Sequence, residues 1–151
     1  MTLNQYNVKN KKEALMTEKE WVQKCYSEEP EADAEVIRFI GKFIFYKGIK
    51  NRHIIQELFR NGYCLYFAHM LKEAFGRGEV LYVYDDGHFI WKDDNNVKYD
   101  VLGVNHTHKM LIPEAQIGDG LMEYKHIPGR NPVLSESEIV KRMEDYIEKE
   151  A

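Results

Sequence analysis

The stretch Asn61-Gly62-Tyr63-Cys64-Leu65-Tyr66-Phe67-Ala68-His69-Met70-Leu71-Lys72-Glu73-Ala74-Phe75-Gly76-Arg77-Gly78-Glu79-Val80-Leu81-Tyr82-Val83-Tyr84 decides the fold. Up to Phe75 its apolar residues Leu65, Ala68, Leu71 and Phe75 recur at three and four, the period of one helix face. Gly76 and Gly78 stop that helix. From Glu79 the period gives way to a run of β-branched and aromatic residues, a strand. A helix that hands over to a strand within a few residues, with helical patterns before it and strand patterns after it, predicts an α+β domain. N-terminal helices pack on a small antiparallel sheet, and the helix from Cys64 runs across it.

On the N-terminal side, Thr17 followed by Glu20 has the form of a capping box and opens a short helix with Trp21, Val22 and Cys25, closed by Pro30. Residues 31 to 47 carry Val36, Ile37, Ile40, Phe43 and Ile44 on one broad face, with Gly48 as the stop. A further helix with Ile54, Ile55, Leu58 and Phe59 ends at Asn61-Gly62. On the C-terminal side, residues 79 to 84, 88 to 92 and 97 to 102 read as strands, and 121 to 127 as one more. Residues 106 to 119 read as loop, with a short helical piece after Pro113. Ser135 with Glu138 opens a charged C-terminal helix. Residues 1 to 16 are polar, with few apolar anchors, and read as a flexible arm; residues 17 to 151 form one domain.

The chain has 151 residues and mixed charges with a net of -4, besides ten Tyr, seven Phe and two Trp. That length buries a core without a disulfide or a metal. The mild acidic balance gives no electrostatic basis for binding nucleic acid or an anionic membrane. No apolar run approaches the ~20 residues of a membrane span, and Met1 to Met16 lack the apolar centre of a signal peptide. Two cysteines, Cys25 and Cys64, are too few for a secreted disulfide framework and point to a reducing cytoplasm.

Cys64 stands just after a glycine at the start of a helix. A thiol attacks as thiolate, and the unpaired amides and positive dipole end of a first helical turn favour that anion. His88, beside Gly87 at the start of a strand, and Asp100 on the following strand supply an imidazole and a carboxylate. An odd number of residues in the loop between these strands puts 88 and 100 nearly opposite on one face, about 5 Å apart at Cβ; an even number separates them. The Cys64 amide is one candidate oxyanion donor, with the side-chain amides of Asn61 or Gln56 as others. A lone cysteine in an amphipathic helix is more often a small buried hydrophobe, and a lone histidine in a sheet is more often structural. The weight here comes from the three occurring together.

Gly62-Tyr63-Cys64-Leu65-Tyr66-Phe67-Ala68 resembles the nucleophile motif of transglutaminase-like proteins, and Gly87-His88-Phe89-Ile90-Trp91 with Asp100 resembles their second and third motifs. Leu65 stands where many of those proteins have Trp. The short span from Cys64 to His88 leaves room for one intervening strand, a minimal version of the papain-like core. The resemblance implies Cys64 as nucleophile, His88 as general base and acid, and Asp100 as orienter. It implies thiol-dependent hydrolysis of peptide, isopeptide or amide bonds, or transamidation, on a peptide, protein or other amide-containing substrate, with Tyr63 and Trp91 as substrate contacts and no cofactor.

Two other readings differ in class. His106-Thr107-His108, with Cys64, Asp119 or His126, is a weak zinc pattern, and no metal is expected. A catalytically inactive papain-like scaffold would instead bind or inhibit a protein partner through tyrosines such as Tyr82, Tyr84 and Tyr124.

Overall fold

A computed structural model describes residues 15–46, 48–60, 63–84, 86–116 and 141. The fold is α+β, with four α-helices and a five-stranded antiparallel sheet among the described residues. The helices are α1 (Glu18–Glu28), α2 (Ala34–Ile44), α3 (Arg52–Arg60) and α4 (Cys64–Phe75). The strands are β1 (Glu79–Val83), β2 (His88–Lys92), β3 (Lys98–Asp100), β4 (Gly103–Val104) and β5 (Leu111–Pro113), in the spatial order β4-β3-β2-β1-β5.

Local chemistry sets the helix ends. The Thr17 hydroxyl accepts the Glu20 amide at 3.1 Å while the Glu20 carboxylate accepts the Thr17 amide at 3.1 Å, which closes the capping box of α1. Helix α2 begins later than position 31 because Asp33 caps it, accepting the Glu35 amide at 2.8 Å. Helix α4 ends on Gly76 in the left-handed region, at φ 62°.

One face of the sheet joins the helices. Val80, Tyr82, Phe89, Trp91 and Tyr99 form a single core with Val36, Ile37 and Ile40 of α2, Ile55 and Phe59 of α3, and Leu65, Phe67 and Leu71 of α4. Fully burying one such side chain stabilises the fold by roughly 1.5–3 kcal/mol. The residues of opposite parity, Leu81, Val83 and Ile90, form a separate small cluster with Leu111.

Two expectations change here. Tyr82 is buried, because it shares the helix-facing parity with Val80; Tyr84 is exposed, and Tyr124 lies outside the described residues. Part of the stretch expected as loop is β5, which pairs with β1 through Leu81↔Pro113, Tyr82↔Ile112 and Val83↔Leu111. Pro113 is tolerated there because β5 is an edge strand. The helical piece after Pro113 is the 3-10 turn Glu114–Gln116. The expected strand at 121 to 127 lies outside the described residues, as do residues 1 to 14 of the arm and all of the C-terminal helix but residue 141. Met16 and Leu15 are described, and Met16 packs against the core.

Candidate active site

The connections bring three chain segments to one end of the sheet. Helix α4 leads through Gly76-Arg77-Gly78 into β1, which runs back along it, so the start of α4 lies near the end of β1. Because β1, β2 and β3 are successive antiparallel neighbours, that same end holds the start of β2 and the end of β3. Cys64 is the first residue of α4, His88 the first of β2 and Asp100 the last of β3.

The turn between β2 and β3 sets their register. Buried Asp93 accepts the amides of Asn95 at 2.8 Å and Val97 at 3.0 Å on Oδ1, and its own amide donates to the Val97 carbonyl at 2.9 Å. Asn96 takes the left-handed conformation the turn requires, at φ 63°. The Tyr99 hydroxyl donates to Asp93 Oδ2 at 3.3 Å and accepts the Asp33 amide at 2.9 Å, which ties the turn to the cap of α2. The unpaired residues 93 to 97 are odd in number, and Lys92 pairs with Lys98. That register, continued, places Asp100 across from Ile90 rather than His88, so His88 and Asp100 share a face but lie on a diagonal, about 7–8 Å apart along the backbone. An imidazole spans this gap: His88 Nε2 lies 3.1 Å from Asp100 Oδ2.

Cys64 stands close enough to His88 to act on the charge of its ring. The parity of His88 is opposite to that of Phe89 and Trp91, which face α4, so the meeting with Cys64 depends on both residues standing at the margin of their elements. Burial works against charge on this ring. The hydrogen bonds and charges of Asp100 and Cys64 prevail, and the imidazole pKa rises from the ordinary 6.5 to about 10. Cys64 itself is 3 % exposed and Asp100 7 %. Asp100 is held by two further donors, the Leu102 amide on Oδ1 at 2.8 Å and Asn105 Nδ2 on Oδ2 at 2.9 Å.

Of the expected oxyanion donors, the Cys64 amide lies in the first turn of α4, whose cap residue Tyr63 makes no side-chain hydrogen bond to it. Gln56 is buried and donates to the Val101 carbonyl at 3.5 Å, beside Asp100. Asn61 lies outside the described residues, as does Gly62. Tyr63 is half-buried next to the thiol, its ring stacked on Tyr66 at 5.9 Å. Trp91 is no substrate contact. It is fully buried between Phe75 and Tyr99, and its indole donates to the Arg77 carbonyl at 2.9 Å.

The histidine pair of the zinc pattern turns elsewhere. His106 Nε2 lies 2.6 Å from Glu29 Oε1, and His108 is exposed. Glu29, Glu31 and His106 together place three potential ligand atoms within 4.8 Å of one another, and the His106 ring is paired with Glu29. Asp119 and His126 lie outside the described residues. His69, on another face of α4 from Cys64, pairs with Glu114 at 2.7 Å.

Sequence reasoning missed Asp93 and Asn105. In the sequence Asp93 is one of four successive Asp and Asn residues that read as a turn, and Asn105 carries no distinguishing signal.

The arrangement sets a thiol at a helix start, near an imidazole that has a carboxylate behind its ring. No family model, curated protein or solved structure matches this chain. No helix among the described residues is long and apolar enough to cross a membrane.

Proposed function

We propose that this protein is a thiol-dependent acyl-transfer enzyme of papain-like, transglutaminase-like type, acting on a peptide, isopeptide or other amide bond. The observation that carries the proposal is the convergence of Cys64, His88 and Asp100, from three separate elements, at one end of the sheet, with His88 Nε2 3.1 Å from Asp100 Oδ2. Structural roles for three isolated residues do not call for such a convergence.

The chemistry follows from the geometry. The Cys64 thiolate attacks the carbonyl carbon and forms a C–S bond, and the carbonyl electron pair moves to oxygen. The Cys64 amide and the Gln56 side chain are the candidate donors for that oxyanion. With Nε2 held by Asp100, Nδ1 is the ring nitrogen that handles the proton: it protonates the leaving amine as the C–N bond breaks. It then takes a proton from the water or acceptor amine that displaces sulfur from the thioester. Asp100 keeps the ring oriented. Tyr63, the residue before the nucleophile, is the candidate substrate contact. The mechanism needs no metal or cofactor, and two free cysteines fit a reducing cytoplasm.

The burial of Cys64 favours, as second reading, an inactive scaffold that binds or inhibits a partner protein. Thiol reactivity separates the two. Iodoacetamide titration from pH 5 to 9, with the adduct located by peptide mass, is expected to label Cys64 faster than Cys25, and slowly in His88→Ala. Turnover of an acyl substrate is lost in Cys64→Ala with the fold intact. Labelling of Cys64 only on unfolding sinks the enzyme reading.

A further inference from the structure

The Asp100 carboxylate is not aimed by its strand alone. Rotation about the bond to a carboxyl group is a broad torsion, so the backbone leaves open which way the oxygens point. Two donors from the following hairpin and loop close that choice: the Leu102 amide takes Oδ1 at 2.8 Å, and Asn105 Nδ2 takes Oδ2 at 2.9 Å. Oδ2 is the oxygen that meets His88. The Asn105 amide is itself held in one sense, because its Oδ1 accepts the Thr107 amide at 2.8 Å, which leaves the NH2 end for Asp100. Its backbone is fixed as well. Asn105 N donates to the Lys98 carbonyl at 2.8 Å, and Lys98 Nζ donates to the Thr107 carbonyl at 3.0 Å, so residues 105 to 107 are tied to β3 at both ends.

We propose that Asn105 is the positioning residue of this site, holding Oδ2 of Asp100 on the His88 imidazole and so acting on the Cys64 thiol through two intermediaries. The proposal rests on the thiol-imidazole reading of the site and extends it by one residue. A backbone amide could anchor either oxygen of a freely turning carboxylate; the second donor, on the oxygen that serves the histidine, removes that freedom.

The test compares iodoacetamide labelling of Cys64 from pH 5 to 9 in the wild type, His88→Ala, Asn105→Ser and Asn105→Asp, alongside the NMR titration of His88 and the thermal midpoint of each protein. Serine keeps an oxygen for the Thr107 amide in a turn of the same kind but is too short to reach Asp100. Aspartate keeps the turn and the size and replaces the donor with a second carboxylate. Asn105→Ser is expected to slow labelling at neutral pH about tenfold, the worth of one hydrogen bond to a charged group, and to lower the His88 midpoint. Asn105→Asp is expected to lose more at pH 8 than at pH 5, where a proton shared by the two carboxylates restores a donor. A purely structural asparagine would shift the thermal midpoint and leave the pH dependence unchanged. Wild-type labelling and an unchanged His88 midpoint in Asn105→Ser overturn the proposal while a slow His88→Ala leaves the site reading standing. Unchanged labelling in His88→Ala overturns both. If Asn105→Ser does not fold, the near-isosteric Asn105→Asp decides alone by its pH dependence.

Discussion

His88 and Asp100 meet across a diagonal of β2 and β3, with Nε2 3.1 Å from Oδ2, and not directly opposite one another. The diagonal matters because it puts the imidazole at the very start of β2, where its other edge is open toward the first turn of α4. A histidine directly opposite Asp100 would stand at position 90, on the same face but inside the sheet, away from the margin where α4 begins.

The His88 imidazole therefore titrates far from its ordinary range. Burial, the largest influence, pulls its pKa down, but Asp100 and Cys64 raise it from 6.5 to about 10. NMR of the ring is expected to find it charged at pH 8. Cys64→Ser and Asp100→Asn should each lower the midpoint, since each removes a raising partner and leaves the burial. The folded pKa exceeds the unfolded one, so the stability this group contributes is full below about 6.5 and is lost as pH rises through about 10. Denaturant titrations should show the gap between wild type and His88→Ala narrowing over that window; a gap that widens would contradict the assignment.

Cys25 supplies an internal control. Its thiol is pushed up to about 11, first by burial and then by the charge of Glu28, against the smaller opposing effect of Lys24. At pH 7.5 it is overwhelmingly a thiol, and its alkylation should be slow and still rising at pH 9. Mass mapping of partly labelled protein checks this. Faster labelling at Cys25 than at Cys64 would remove the contrast on which the choice of nucleophile depends.

Much of this architecture is legible in residue order. Cys64 after Gly62, His88 after Gly87 and Asp100 on the returning strand announce themselves by residue type and by the glycine punctuation around them. The faces of the sheet do not. Positions 80 to 83 are apolar throughout, so alternation defines two faces without saying which one the helices cover, and the burial of Tyr82 shows only in the folded sheet. Strand β5 is short and ends in proline, which reads as loop until β1 is there to pair with it. Asn105 looks like any loop asparagine, because its role exists only once Asp100 is folded back beside it.

Gly78 is expected to be among the least replaceable residues of the link between α4 and β1. It sits at φ 83°, and a Cβ there would overlap the Trp91 indole nitrogen and the Lys92 carbonyl, neither of which has room to withdraw. Gly78→Ala should cost roughly 2–4 kcal/mol, from the sum of positive-φ strain and steric overlap. Gly48→Ala offers the comparison: φ is also positive, at 109°, but nothing lies within 4 Å, so the cost should be about 1 kcal/mol. Urea unfolding of the two variants measures the difference, and equal losses would mean that the packing against Trp91 is softer than these contacts imply.

Asp93 links the stability of the hairpin to the chemistry of the site. Its Oδ1 holds the Asn95 and Val97 amides and its Oδ2 takes the Tyr99 hydroxyl, all from a position 4 % exposed. Asp93→Ala leaves those donors without their acceptor and should cost about 2–3 kcal/mol. The same turn sets the register that carries Asp100 to within reach of His88, so the loss should also appear at a distance, as slower labelling of Cys64 in protein that is still folded. Asp93→Asn keeps an oxygen for the two amides and should retain most of both properties. Stability lost without any change in Cys64 reactivity would show that β3 finds its register from Tyr99 and the core alone, and that the turn contributes only to stability.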